Sequence, residues 1–215
     1  AIVSGGSQDN GTWVVNNADG NTDWVNWFGG DGMVTNIDYT DGNIMYGTWQ
    51  FGNHYKSLDG GVTAFVIMNG ITEEGPWVTP VVMHPTDPLT LYTTSNTKIY
   101  KTTTGGTLWN SVSQLTNQGH LAIDQVDPEI VYTASYTLGG GITTLYRTLT
   151  GGENWHWINS PGQSISDLEA DPKLGGVVYR TNPTYASGQQ VWRSVNYGED
   201  WENISSNFPG IPANC

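Results

Sequence analysis

Short runs of β-branched and aromatic residues recur along the whole chain, and each is closed by Gly, Asp, Asn or Pro. Runs of this length between such residues predict strands and turns, and no stretch of the helix formers Ala, Leu, Glu and Lys interrupts them. After an opening segment with strands at Ala1-Ile2-Val3, Trp13-Val14-Val15 and Trp24 to Phe28, separated by the polar loop Gly5 to Gly11, the strands fall into four sets of four. The first set is Met33 to Asp38, Asn43 to Thr48, Asn53 to Ser57 and Ala64 to Met68. The second is Val78 to Met83, Thr90 to Thr94, Lys98 to Thr102 and Leu108 to Val112. The third is His120 to Asp124, Ile130 to Ala134, Thr144 to Thr148 and Asn154 to Ile158, and the fourth is Ile165 to Ala170, Val177 to Thr181, Gln190 to Ser194 and Asp200 to Ile204.

The sets are copies of one unit. Its third strand ends in Tyr55-Lys56-Ser57-Leu58-Asp59-Gly60-Gly61, which returns as Tyr100 to Gly106, Tyr146 to Gly152 and Trp192 to Gly198. The hydroxyl position, at Ser57, Thr102, Thr148 and Ser194, steps by 45, 46 and 46 residues. Four strands in a period of about 40 to 45 residues is the arithmetic of a β-propeller blade. Turns between first and second strands carry Asp41-Gly42, Asp87-Pro88, Asp127-Pro128 and Asp171-Pro172, where aspartate closes an Asx turn and proline fixes φ. Seven residues after the hydroxyl stands Trp109, Trp155 or Trp201, with Ala64-Phe65 in the first copy, an aromatic placed to pack between neighbouring blades.

The pattern Ser/Thr-x-Asp-x-Gly-x-x-Trp after an aromatic-basic pair resembles the Asp-box, or BNR, repeat of β-propellers, and the resemblance covers essentially the whole chain. Such repeats occur in sialidases, sortilin-type receptors, xyloglucanase-like glycosidases and secreted bacterial surface proteins. The resemblance implies an all-β propeller in which the box is a structural hairpin on the rim. Only the first copy keeps the aspartate; Thr104, Thr150 and Asn196 replace it, which argues against an ion held by the boxes. The expected organisation is a single propeller region over 1–215: a partial blade at 1–31, full blades at 32–75, 76–118, 119–163 and 164–210, and the start of a further strand at 211–215. The chain is expected to be part of a larger ring in a longer protein. The alternative is a five-bladed ring closed by its last residues against the opening half blade.

Composition agrees, with 28 Gly, 10 Pro, 10 Trp and 11 Tyr among 215 residues. Twenty acidic against seven basic residues give a net charge of −13, which repels nucleic acid and anionic lipid, so neither is an expected partner. No apolar run is long enough to cross a bilayer as a helix, and no membrane insertion is expected. Cys215, the one cysteine, has no internal partner and reads as a strand residue rather than a reactive thiol. Low lysine content, acidity and abundant Asn, Thr and Gly suit a secreted, extracellular or cell-surface protein.

Strands that alternate in direction put the first-to-second and third-to-fourth turns on one face, with the boxes. The second-to-third loops and blade-to-blade loops share the other face, where the repeat is broken and a site is expected. Between the second-strand tyrosine and the third-strand aromatic, the loops Tyr132 to Tyr146 and Tyr179 to Trp192 are longer than their counterparts and carry Tyr136 and Tyr185. Gln8-Asp9-Asn10 occupies the same loop of the partial blade, and Asp31 and Ile71 to Trp77 lie in blade-to-blade loops. The expected ligand-binding set is Gln8, Asp9, Asn10, Asp31, Trp49, Trp77, Tyr136 and Tyr185, offering aromatic rings and polar groups to a glycan or protein. Each of these aromatic residues also has a plain role in core or inter-blade packing.

A glycosidase needs two carboxyl groups about 5 to 9 Å apart, and Asp9, Asp31, Glu73 and Glu74 are the weak candidates, each also readable as a solvated loop acid. A sialidase needs an arginine cluster; the chain has Arg147, Arg180 and Arg193, two of them in the repeated basic position, so that reading fails on inventory. His54, His84, His120 and His156 are scattered over four units at unlike positions, which disfavours a shared metal site. Asp19, Asn21 and Asp23 alternate like calcium-loop ligands but lack the glycine and distal glutamate of an EF-hand. Calcium there is the weaker reading beside an ordinary Asn/Asp loop, and no cofactor is assigned. The resulting expectation is a non-catalytic binding, adhesion or display module, with a secreted xyloglucanase-like glycoside hydrolase as the alternative.

Overall fold

The computed structural model describes residues 1–17, 20, 22–135, 143–162 and 164–214. The described part is all-β: a three-stranded sheet and four four-stranded sheets, each a simple antiparallel meander. Its one helical element among the described residues is a single 3-10 turn at Gln50–Gly52. The opening sheet holds β1 (Ile2–Ser7), β2 (Gly11–Asn16) and β3 (Val25–Phe28). The next holds β4 (Gly32–Ile37), β5 (Met45–Trp49), β6 (Asn53–Ser57) and β7 (Phe65–Val66), and the third β8 (Val81–Met83), β9 (Leu91–Thr94), β10 (Ile99–Thr102) and β11 (Asn110–Ser113). The last two are β12 (Gln118–Ile123), β13 (Val131–Ser135), β14 (Leu145–Thr148) and β15 (Trp155–Ile158), then β16 (Asp167–Ala170), β17 (Val178–Thr181), β18 (Val191–Ser194) and β19 (Glu202–Asn203). These sheets are β-propeller blades. Two compact units contain them: Ala1–Met83 with Asp87–Gln114, holding the first three sheets, and His84–Thr86 with Leu115–Cys215, holding the last two.

Within each unit the blades stack face to face, so the middle strands are covered on both sides and lose the in-out alternation of a half-buried strand. All four residues of β9 and all five of β13 are buried. In the first unit, Val14, Trp27, Phe28 and Met45 form the core between the first two sheets, and Tyr46, Ile67, Val81, Leu91, Tyr100 and Trp109 form that between the second and third. In the second unit Tyr132, Leu145, Ile158, Leu168 and Val178 belong to a single cluster. β1 runs further than its sequence suggests, through Gly5-Gly6-Ser7, because Gly6 lies against β4: a Cβ there would stand 2.2 Å from the Gly32 carbonyl carbon. Only a glycine permits that approach.

The turns are built alike in all four full blades. Each box hydroxyl is buried and accepts two backbone amides: Ser57 Oγ from Asp59 and Gly61 (3.3 and 2.9 Å), Thr102 Oγ1 from Thr104 and Gly106 (3.1 and 3.1 Å). Thr148 Oγ1 takes those of Thr150 and Gly152 (3.1 and 3.1 Å), and Ser194 Oγ those of Asn196 and Gly198 (3.3 and 2.8 Å). The next polar residue repeats the device four residues on. Asp59 Oδ1 accepts Thr63 N–H, Thr104 Oγ1 that of Leu108, Thr150 Oγ1 that of Asn154 and Asn196 Oδ1 that of Asp200, at 2.9, 3.1, 3.1 and 2.9 Å. An acceptor oxygen is all the position requires, which is why Asp, Thr and Asn interchange there. The closing glycines, Gly61, Gly106, Gly152 and Gly198, sit at φ of 89°, 84°, 103° and 85°, a region closed to most side chains.

A further bond joins the two turns of each blade: Gly60 N–H to Asn43 O, Gly105 to Leu89, Gly151 to Glu129 and Tyr197 to Gly176, at 2.9, 2.8, 2.8 and 2.8 Å. Asp41, Asp87, Asp127 and Asp171 each accept the amide two residues on, as Asx turns do. In two blades the basic residue beside the box reaches the following blade, while Arg193 pairs with Glu202 of its own (2.7 Å). Lys56 Nζ donates to Gly105 O (2.9 Å), and Arg147 donates to Tyr197 O (2.5 Å) while pairing with Glu199 (2.7 Å). Two of the three tryptophans bond backward: Trp109 Nε1 to Ile67 O (2.8 Å), and Trp201 Nε1 to Asn159 O (3.1 Å) as well as to Gly198 O of its own turn (3.0 Å).

His54, on β6, is buried against the Trp109 ring (5.4 Å between centroids) with Nε2 3.3 Å from Thr93 Oγ1, so it is a packing residue of the inter-blade core. Cys215 lies outside the described residues.

Two outcomes follow from this packing. Thr102→Val removes the acceptor of two amides, one of them buried, and should cost about 1 to 3 kcal/mol in urea unfolding, whereas Thr102→Ser should stay near wild type. Burial pushes the His54 imidazole down from 6.5 to about 3. It is neutral in the fold and protonated when unfolded below pH 6.5, so the unfolded state binds more protons and stability falls as pH drops from there towards 3. By about pH 5 the loss should be on the order of 2 kcal/mol, and His54→Gln should flatten that part of the profile.

Candidate functional site

The first unit carries, on the face opposite the boxes, a continuous chain of loops from its three sheets. The β1–β2 loop, Gln8-Asp9-Asn10, is fixed from both sides. Asn10 O accepts the Trp13 indole N–H (2.7 Å) and the Asn26 side-chain amide (3.2 Å), and Asn10 Nδ2 donates to Gln8 O (3.1 Å). Asp9 takes a left-handed φ of 63°, which aims its N–H at the blade-to-blade loop, where Asp31 Oδ1 accepts it at 2.7 Å. Asp31 N–H in turn donates to Gln50 Oε1 (3.0 Å) in the β5–β6 loop.

From Gln50 the chain of contacts passes to Phe51. This residue also stands in the left-handed region, at φ 62°, ψ 22°, a conformation that is a genuine outlier for a bulky side chain. Its backbone is held there by the next loop: Phe51 N–H donates to Trp77 O (3.3 Å), and Gly75 N–H donates to Phe51 O (2.9 Å). The consequence is an exposed aromatic pair. Phe51 and Trp77 are each 42% exposed and meet edge to face, with ring centroids 5.1 Å apart and planes at 83°. Trp49 lies further in, edge-on to Tyr55 at 5.2 Å, with its ring covered by Gly30.

The β7–β8 loop continues the chain into the third blade. Glu74 O accepts Asn96 N–H (2.9 Å). Glu73 pairs with Lys98 at 2.5 Å and accepts the hydroxyls of Ser95 (3.2 Å) and Thr97. The bond from Lys98, followed by that from Thr97, holds the Glu73 carboxyl below the usual carboxylate range. Of the four acids named from sequence, Asp31 and Glu73 are thus engaged in joining loops, while Asp9 and Glu74 contribute backbone groups and leave exposed side chains.

The structure therefore brings Gln8, Asp9, Asn10 and Asp31 into one bonded group with Gln50, and Trp77 beside Phe51. Nothing in spacing or composition marks Gln50 or Phe51; their role comes from backbone conformation. Tyr185 is on the β17–β18 loop of the second unit, 77% exposed. Tyr136, Asp19 and Asn21 lie outside the described residues, which leaves Asp23 as the described member of the calcium triplet. Among the described residues no group of three or more His, Cys, Asp or Glu is arranged to hold a metal ion, and no helix is long and apolar enough to cross a membrane.

Blades of this construction place the chain in the class of β-propellers, and comparison with solved structures agrees. A GH74 xyloglucanase from Xanthomonas campestris superposes with a TM-score of 0.66 at 16% identity over 98% of this chain and 36% of that one. The GH74 enzyme of Niastella koreensis gives 0.62 at 16% identity over 94% of this chain and 43% of its own. YCF48 bound to D1 peptide gives 0.54 at 13% over 80% and 52%. The chain spans less than half the length of these GH74 enzymes. No protein-family model and no curated protein matches its sequence.

If Asp31 is the link between the first two loops, Asp31→Ala should leave global unfolding within about 1 kcal/mol of wild type. It should raise amide exchange at residues 8–11 and 30–31 selectively, as read by hydrogen exchange with mass spectrometry.

Proposed function

We propose that this chain is a carbohydrate-binding propeller segment that grips sugar rings at Phe51 and Trp77, with Gln8, Asp9, Asn10 and Trp49 around them, and that it works without catalysis at the cell surface or outside the cell. What supports the reading above all is the Phe51–Trp77 pair. Two large rings are kept in contact with solvent by a backbone conformation that costs about 1 to 2 kcal/mol for an L-residue. Strain retained at an exposed aromatic suits recognition better than folding, which a glycine at that position would serve as well. Flat apolar rings flanked by amide and carboxylate acceptors match the two faces of a sugar: C–H groups for stacking, hydroxyls for hydrogen bonds.

In this reading the four turns are Asp-boxes whose work is architectural, the ring is completed by further parts of a longer chain, and no cofactor is needed. Glycan is the favoured ligand; a protein contact on the same face is the second.

Glycoside hydrolysis is the alternative that the GH74 neighbours favour. It asks for an acid and a second carboxylate across a sugar-sized gap. The engagement of Asp31 and Glu73 in loop-joining bonds supports binding over turnover.

A glycan array followed by calorimetric titration with xyloglucan and cello-oligosaccharides, run beside a reducing-sugar assay, separates the two. Binding without sugar release is expected, and Trp77→Ala should weaken it roughly tenfold or more while the fold persists. Phe51→Gly should bind as poorly and unfold within about 1 kcal/mol of wild type, since relief of the left-handed φ offsets the lost ring contact. Sugar release abolished by Asp31→Asn would establish the hydrolase instead.

A further inference from the structure

The connection between β17 and β18, residues 182–190, is longer than those between β5 and β6 (Gln50–Gly52) and between β9 and β10 (95–98), and two buried amide side chains hold it in shape. Gln190, 0% exposed, uses its whole amide: Nε2 donates to Ala186 O and Pro209 O (3.0 Å each), and Oε1 accepts Gln189 N–H (2.9 Å). Asn182 Nδ2 donates to Gln189 O (2.9 Å), which also accepts the Trp192 indole N–H (3.2 Å). Asn203 Nδ2 fixes Gly188 O (2.7 Å), and Ser187 Oγ donates to Phe208 O (3.2 Å). Arg180 works from behind: it is buried, and its two Nη groups donate to Ser160 Oγ and Asn182 Oδ1, tying this loop to the β15–β16 loop. Buried amides whose bonds are all made rigidify what they hold.

Between these two loops lies a cavity of about 340 Å³, bordered by Gly162 and Ser164 on one side and by Asn182, Pro183, Thr184, Ala186 and Gln189 on the other. Neither an ionisable side chain nor an aromatic ring lines it. A charged ligand would give up hydration there for no counter-charge, and a nucleobase would find no ring to stack on. A peptide could not add as a strand, because the backbone amides of Asn182, Ala186 and Gln189 are all bonded within the protein. What the lining suits is a neutral molecule with hydroxyls at its edge and C–H groups on its faces. Thr184 Oγ1 accepts Ala186 N–H (3.1 Å) and keeps its own proton to donate. Gln189 is exposed, and its side-chain amide, a donor and an acceptor, has no partner among the described residues. Pro183 and Ala186 supply apolar surface.

We propose that this cavity is a second carbohydrate site, which takes a single neutral hexose. Its volume lies at the small end of the range for small-molecule sites, room for one sugar ring and too little for a branched oligosaccharide. The site lies wholly in the second unit and does not depend on the reading of Phe51 and Trp77. Its ligand is held by hydrogen bonds from a braced loop rather than by ring stacking.

The test is an NMR titration of the isotope-labelled full chain with the methyl glycosides of glucose, galactose and mannose, and with glucuronate and glucosamine as charged counterparts. At least one neutral glycoside should shift the amide signals of residues 182–189 and bind at least roughly tenfold more tightly than either charged sugar. Ala186→Trp, which fills the cavity from an exposed position, should abolish those shifts, and Gln189→Ala should weaken binding about threefold to tenfold. Trp77→Ala should bind as wild type does, and a xyloglucan oligosaccharide should leave residues 182–189 unshifted. Absence of these shifts with all three neutral glycosides overturns the proposal, as does equal affinity for a charged sugar, binding that survives Ala186→Trp, or entry of the oligosaccharide. Loss of the shifts in Trp77→Ala overturns it too, since the sugar would then sit at the first unit's rings. Should Ala186→Trp fail to fold, unchanged binding by the double variant Thr184→Val, Gln189→Ala overturns it equally.

Discussion

Everything regular in this protein depends on one buried hydroxyl per four-stranded blade, at the end of the third strand. A hairpin that must bury its turn against the neighbouring sheet cannot leave amides without acceptors, because each orphaned group costs about 1 to 3 kcal/mol. Ser57, Thr102, Thr148 and Ser194 solve this with one oxygen taking two N–H groups. Once the turn is fixed, its first φ-positive residue bonds the neighbouring turn. Its carbonyl can then receive the basic side chain of the preceding blade, as Gly105 receives Lys56 and Tyr197 receives Arg147. The tryptophan that follows points back at the previous blade's outer strand, as Trp109 does at Ile67. Local turn chemistry and blade stacking are parts of the same network.

Repetition made this part of the molecule readable from the sequence. Strand number, order and the two faces follow from the period and from the direction of successive strands, and hydrogen bonds between turns, and between loops, agree with that division. Interchange of Asp59, Thr104, Thr150 and Asn196, which looks like decay of a motif, is conservation of an acceptor four residues before an amide. Strand ends were less legible where a contact sets them: β1 extends through two glycines because Gly6 must touch β4, and β7 shrinks to two residues.

The candidate site was legible only in outline. Which face and which loops could be argued from topology, and Asp9, Asp31 and Trp77 do lie there. Phe51 could not, because its prominence comes from a left-handed φ that only tertiary bonds to Gly75 and Trp77 impose. Counting arginines counts charges and does not show that Arg180 is buried, with Ser160, Ser164 and Asn182 among its acceptors. Trp27 is core. The scaffold thus takes up most of the cations and the box tryptophans, and the residues that break its rules are concentrated in the loops.

That division of labour is the central claim, and hydrogen exchange with and without a bound xyloglucan oligosaccharide tests it most directly. The account predicts new protection confined to residues 8–10, 29–31, 49–52 and 74–77, with the four box turns unchanged. Protection centred on the boxes, with those loops unaffected, would contradict it.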